Sequence, residues 1–402
     1  MRIKAHLQKL SRWLAVGLTL PVFMSGLANA QQQGVTESEI LIGAFGPLTG
    51  PVSWVGSGSR DGLALAADEI NRNGGINGRK IRLIFEDAVK PAESIAAAKK
   101  LTEQDKVAVL ILGSGSTGAE AAGDYLRSAG IPSFNIVGVT PKIRDPFARN
   151  IFHGASPSAD TFAQSWVDVI LGQTPKPKKV AIIVGSYALP QASLKALEPR
   201  LQAAGIEITR TERYEQGDKD FTAQLLPISR SKPDLIVFLG HYTESALAIK
   251  QAGETSLAGL PWFVGAESIV RAFPKIAGPN AEGARSTWLL PYFYTQPEKP
   301  MQDFNRKWTA LHGTPAEGRP NYVDVLAYGD MYIVALVLRK AGNDLSWKNI
   351  IEAWESLKDA KPSDFGPYAS DVIFPEGFSS TDHQGNKKLI PIVVKDGDWK
   401  AR

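Results

Sequence analysis

Residues 40–75, ILIGAFGPLTGPVSWVGSGSRDGLALAADEINRNGG, decide the fold class. Ile40–Phe45 is a continuous apolar run, the pattern of a strand buried on both faces of a parallel sheet. A loop rich in Gly, Pro and Ser follows from Gly46 to Ser59. Leu63, Ala66, Ala67 and Ile70 then recur at i, i+3, i+4 and i+7, so one stripe of a helix faces a core. Asn73-Gly74-Gly75 stops that helix, because glycine accepts the left-handed backbone of a helix end. Strand, loop and helix in this order form one half of a βαβ unit.

The alternation continues. Strands are expected at Ile81–Phe85, Val107–Leu112 and Ile131–Asn135, with helices near Pro91–Glu103 and Ala119–Ala129. A second series places strands at Val180–Val184, Ile206–Arg210, Leu235–Leu239 and Trp262–Val264. Its helices are expected near Ser158–Leu171, Pro190–Ala204, Asp220–Ser229 and Thr243–Ala252. After Gly283 a Pro- and aromatic-rich stretch (residues 290–294) leads to helices near Met301–His312 and Asn321–Arg339. Two short β-like runs, Val372–Phe374 and Leu389–Val394, close the chain. The two halves read as two copies of one α/β plan. In such sheets a ligand sits at the carboxyl ends of the strands, here beside the loops 46–59 and 113–118.

The 402-residue chain has 45 basic and 41 acidic residues, a formal charge of +4, and no cysteine. Arg2, Lys4, Lys9 and Arg12 carry the whole excess; the rest of the chain balances at 41 against 41. A nucleic-acid partner is therefore not expected, since no cationic surplus is left to displace counterions. The basic start, the apolar run WLAVGLTLPVFM (13–24) and Ala28-Asn29-Ala30 have the layout of a signal peptide cut near Ala30. Twelve apolar residues fall short of the roughly 20 that span a membrane. No later segment reaches that length, so a soluble exported protein is expected, and the address points to a bacterial periplasm. Without cysteine there is no disulfide, thiolate metal site or lipid-anchored thiol.

Gly113-Ser114-Gly115-Ser116-Thr117-Gly118 satisfies G-x-G-x-x-G between a strand and a helix. A dinucleotide site would want it after the first strand, with an acid ending the next strand to hold a ribose; Ile131–Asn135 supplies none. A carboxylate suits the same backbone N–H groups, helix N-terminus and Ser116 and Thr117 hydroxyls. A plain helix cap by Ser116 or Thr117 is the third reading. No nucleophile elbow, Walker loop or H-E-x-x-H occurs, and His153, His241, His312 and His383 share no metal-ligand spacing. No acid, base and nucleophile assemble, which argues against an enzyme; no metal or cofactor is expected. Glu267 follows directly on the strand Trp262–Val264 and either accepts an ammonium group in a cleft or sits as an acid at a helix start. Trp54, Tyr187, Tyr242 and Tyr328 punctuate strand and helix ends and are candidate pocket walls, or core.

Ile42–Gly50 (IGAFGPLTG), Ala67–Asn71 (ADEIN) and Asn73–Gly78 (NGGING) resemble the leucine/isoleucine/valine-binding periplasmic proteins, type I substrate-binding proteins of ABC importers. The likeness continues through Gly113–Gly118, Asp220–Thr222, Gly265–Glu267 and Tyr328–Asp330 over essentially the whole mature chain. It implies two doubly wound Rossmann-like α/β lobes, joined by three crossovers and closing on one ligand. The N-terminal lobe would comprise 36–157 and 291–388, the other 158–290 and 389–402. It also implies capture of a small carboxylated solute, foremost a branched-chain or related hydrophobic amino acid, by a monomer that delivers it to a membrane permease. Ser114, Ser116 and Thr117 would hold the carboxylate. Val139 stands where the family has a second hydroxyl, unless Thr140 takes that place. Glu267 matches the family's ammonium acceptor. Trp54 and Tyr328 match aromatic positions, one expected tyrosine falls near Leu189, beside Tyr187, and the next at His241, beside Tyr242. The tail Ser379–Gly385 looks instead like relatives that import aromatic acids, amides or urea. A signalling receptor component would share the fold, and an NAD-dependent enzyme is the rival of another class.

Overall fold

The computed structural model describes residues 32–293, 298–314 and 319–401. The expected signal segment lies outside the described residues, as does Tyr294 of the aromatic stretch. The first sheet contains β1 (Glu39–Gly46), β2 (Lys80–Asp87), β3 (Val109–Leu112), β4 (Ser133–Asn135) and β5 (Ile151–His153), in the order β2-β1-β3-β4-β5. Every pairing is parallel. β3 reads Val-Leu-Ile-Leu and is fully buried, as a central strand covered by helices on both faces must be.

The second sheet holds β6 (Lys179–Gly185), β7 (Glu207–Tyr214), β8 (Leu235–Leu239), β9 (Trp262–Val264), β10 (Arg285–Trp288), β11 (Ile390–Lys395) and β12 (Asp398–Ala401). Their order is β7-β6-β8-β9-β10-β11-β12. It is parallel through β10, then antiparallel at β10–β11 and at the β11–β12 hairpin. In each sheet the order reverses beside its first strand, which opens a crevice at the carboxyl ends of the strands.

The chain leaves the first sheet after β5 and returns after β10. There the helices Lys299–His312 and Tyr322–Ala341 pack on the helix Ser53–Arg72, before β11 rejoins the second sheet. Asn386 ties the three passages together: its Nδ2 donates to the carbonyls of Ala155 (2.9 Å) and Leu289 (3.2 Å). The two helices meet closely because Gly62 faces the backbone at Asp324 and Tyr328; a Cβ at 62 would overlap the Asp324 carbonyl. Asn321 and Asp324 form a reciprocal cap at the start of the helix Tyr322–Ala341, each side chain accepting a backbone N–H at 2.7 Å. Burial pushes the Asp324 carboxyl up to about 6, against the pull of Arg319.

Most expected elements lie within a few residues of their observed bounds. Val372–Phe374 is not a strand. Val372 and Ile373 are buried and Phe374 half-buried in an irregular segment whose Ile373 fits against Gly329, and Asp371 folds the chain back by accepting the Ser363 N–H at 2.8 Å. The strands β5, β10 and β12 and the helix Trp347–Glu355 appear without a matching expectation. Gly62→Ala is expected to lower the unfolding free energy by about 1–3 kcal/mol through overpacking. Urea unfolding checks this, and an unchanged midpoint would contradict the close helix contact.

Candidate functional site

The strand ends of the two sheets converge on one cavity. Gly115 and Ser116 reach it from the end of β3, and Val137 and Val139 from the end of β4. The second sheet contributes Leu239 and Gly240 after β8, and Gly265 to Glu267 after β9. Trp54 and Tyr322, each at the first turn of a long helix, and the i, i+4 pair Phe162 and Trp166 add aromatic walls, and the buried Ser156 and Ser193 add two hydroxyls. The cavity volume is about 60 Å³, space for several water-sized groups and so for a small organic molecule, not a dinucleotide.

Ser116 is the second residue of the helix Gly115–Ala129, and the N-cap position belongs to Ser114, which makes no side-chain cap bond. The Ser116 hydroxyl is not a cap either: its Oγ accepts the Val139 backbone N–H at 3.1 Å. With one lone pair taken, the O–H proton has no acceptor among the described residues and is left to donate into the cavity. The adjoining helix N-terminus favours negative charge at the same spot.

At the other end lies Glu267, with 13% of its side chain exposed. Tyr187 Oη donates to Glu267 Oε2 at 3.0 Å, and His241 Nδ1 lies 3.1 Å from Oε1. Burial and then the Glu267 charge hold the Tyr187 phenol well above its ordinary range, so it remains a donor. The His241 ring stacks on Tyr187, with centroids 4.7 Å apart and planes at 16°. Trp54 meets His241, Tyr242 and Tyr322 edge-on, at 6.2, 6.4 and 5.8 Å between centroids. It therefore joins the aromatic groups of the two sheets. The Asn321 amide donates to the Trp54 carbonyl at 3.1 Å and fixes the turn that carries the indole.

Of the residues expected at the site, Trp54, Ser116 and Glu267 line the cavity; Tyr187, His241 and Tyr242 form the shell directly behind. Four are placed elsewhere. Thr117 is exposed, since successive helical residues point about 100° apart, and Ser114 is half-buried with its hydroxyl turned to the Gly115 carbonyl. Thr140 is buried off the cavity at the start of the short helix Pro141–Arg144, so Val139 presents an apolar surface where a hydroxyl was sought. Tyr328 is fully buried away from the cavity, its hydroxyl donating to Glu69 Oε2 at 2.9 Å and accepting the Ser370 N–H at 3.1 Å. Tyr322, six residues and about 240° around the same helix, faces the cavity instead. Tyr322, Phe162, Trp166 and Leu289 were not foreseen; the aromatic pair at i, i+4 was the available signal for two of them. Among the described residues no group of three or more His, Asp or Glu is placed to hold a metal ion.

A family model described as periplasmic binding protein matches residues 39–398. The chain belongs to the periplasmic binding protein family. A Leu/Ile/Val-binding protein homolog 7 of Brucella melitensis is 30% identical over 247 residues; the match spans 60% of this chain and 60% of that relative's length. The leucine-, isoleucine-, valine-, threonine- and alanine-binding protein of Pseudomonas aeruginosa is 26% identical over 344 residues, 85% of this chain and 86% of that one. A solute binding protein of an ABC transporter from R. palustris, solved with benzoate, superposes with a TM-score of 0.75 at 20% identity, covering 90% of this chain and 95% of that one. That likeness is one of fold: two parallel-dominated α/β lobes. No helix among the described residues is long and apolar enough to cross a membrane.

Ser116→Ala leaves the Val139 N–H without its acceptor. The ligand-free variant is expected to lose about 1–3 kcal/mol of unfolding free energy, measured by denaturant titration; an unchanged value would show that this bond does not hold the site.

Proposed function

We propose that this periplasmic binding protein captures a small hydrophobic carboxylate, foremost a branched-chain or related amino acid, and passes it to the permease of an ABC importer. The observation that carries the reading is one small cavity with a free hydroxyl donor and helix N-terminus at one end, a carboxylate at the other and mostly apolar walls between. The amino-acid-binding relatives support it. The lobes are taken as 36–157 with 291–388, and 158–290 with 389–402, and the working form as an exported monomer freed of its first 30 residues. Ser116 holds the ligand carboxylate from the first lobe, and the rest of the ligand reaches Glu267 and the strand ends of the second. A ligand that touches both lobes favours the closed arrangement by the contacts that only closure completes. An aromatic carboxylate is the second reading. It is favoured by the apolar Val139 and by a Glu267 whose two oxygens already have partners within the protein.

A thermal-shift screen over hydrophobic amino acids and benzoates tests both readings, since a ligand at 100 times its Kd stabilises by about 2.7 kcal/mol. A rise in Tm with leucine, isoleucine or valine supports the first and a rise with benzoates alone the second. No response to either class would overturn the proposal. Ser116→Ala is expected to weaken the bound carboxylate by about 1.5–3 kcal/mol, roughly 10- to 100-fold in Kd by calorimetry.

A further inference from the structure

The acidic end of the cavity is already occupied by the protein itself. Glu267 Oε2 accepts the Tyr187 hydroxyl at 3.0 Å and Oε1 faces His241 Nδ1 at 3.1 Å. These groups follow β6, β8 and β9 of one sheet, so they meet irrespective of how the other lobe sits. The imidazole is held between the face of Tyr187 and the edge of Trp54; both ring nitrogens are buried, Nδ1 with the Glu267 ion-pair contact alone and Nε2 with no partner among the described residues.

We propose that protonated His241 takes the place of a ligand ammonium on Glu267, so that the cavity accepts an amine-free carboxylate directly and an amino acid only with release of the His241 proton. This rests on the cavity being the ligand site. It assigns to His241 the choice between the two ligand classes and makes amino-acid capture proton-linked.

The charges that face His241 are both acidic. Glu267 is one; Glu244, on the helix Tyr242–Ala252 that His241 introduces, is the other, anchored by the Gly217 N–H at 2.9 Å. Tyr187 at the next helix and Tyr214 at the end of β7 are kept protonated, by burial first, and bring no charge; Trp54 and Tyr242 are uncharged rings or phenols across and beside it. Burial opposes the imidazolium, while Glu267 by charge and hydrogen bond, and Glu244 by charge, favour it; the balance raises His241 above its ordinary value. The exchange balances simply. The imidazolium and a zwitterionic amino acid give neutral His241, an ammonium on Glu267 and one proton in solvent, with only an N–H bond broken. Two cations on one buried carboxylate are excluded by their repulsion.

The test uses the exported chain with leucine and 4-methylpentanoate, which differ only by the amine. Calorimetry in buffers of unequal ionisation enthalpy, from pH 5.5 to 8, counts protons, and nitrogen NMR follows His241 in the unliganded protein. Expected are a His241 midpoint above about 6.5 that falls in Glu267→Gln, and release approaching one proton on leucine binding below that midpoint. Below that midpoint leucine affinity should fall about tenfold for each unit by which the pH is lowered. 4-Methylpentanoate should bind without proton release, and His241→Asn should remove the pH dependence for leucine. A midpoint unmoved by Glu267→Gln, or leucine binding without proton release while His241 is protonated, would overturn the inference. Binding of neither ligand would overturn the functional reading and the ligand half of this inference, while the Glu267→Gln titration separately decides the pairing.

Discussion

The hydrogen bond from the Val139 N–H to Ser116 Oγ joins the ends of two neighbouring strands, β3 and β4, and what the first lobe offers a ligand depends on it. It fixes the rotation of a hydroxyl that would otherwise be free and commits its lone pair. It also holds the β4 end against the helix N-terminus, so that hydroxyl, backbone and dipole converge on one point. The second sheet also brings a hydroxyl to the cavity, that of Ser193, which is buried on the helix Ala188–Ala203. The sheet's other contribution is a carboxylate, a stacked imidazole and a phenol, tied to one another before any ligand arrives. The cavity thus has one end built to donate and one end built around an acid.

Between these ends the walls are mostly apolar, interrupted by the buried hydroxyls of Ser156 and Ser193, and Trp54 bridges the aromatic groups of the two sheets. Its position at the first turn of the helix Ser53–Arg72 is set by that helix's packing on Tyr322–Ala341, which needs the bare backbone of Gly62. A packing choice some distance from the cavity therefore determines where the indole stands. The same helix pair brings Tyr322 beside Trp54, and Asn321 both caps its helix and anchors the Trp54 carbonyl.

The architecture was legible where burial is two-sided. Ile40–Phe45, Val180–Val184 and Leu235–Leu239 are runs that only a covered parallel sheet accommodates. β10 (Arg-Ser-Thr-Trp) is polar at three of its four positions and β5 (Ile-Phe-His) is only three residues long, and their strand geometry comes from neighbouring strands rather than from local pattern. Val372–Phe374 shows the reverse: local apolar character without a strand beside it to pair with. Ser116, Glu267 and Trp54 could be found because each follows a strand or opens a helix at the crevice. Tyr328 was misplaced by helical phase alone, and Thr140 by one residue of loop geometry. That Glu267 is met by His241 and Tyr187 joins residues 26 and 80 positions away, which no local pattern encodes.

A zero balance of charge beyond the first 30 residues means that no overall field draws an anion in, so on the proposed function selectivity would rest on these few groups and on the two lobes bringing them together. Small-angle X-ray scattering with and without saturating leucine or 4-methylpentanoate, whichever is bound, tests this most directly. A ligand gripped at Ser116 and at the second sheet should lower the radius of gyration on binding, and Ser116→Ala should need roughly 10- to 100-fold more ligand for the same fall. Tight binding with no change in the radius would contradict the account.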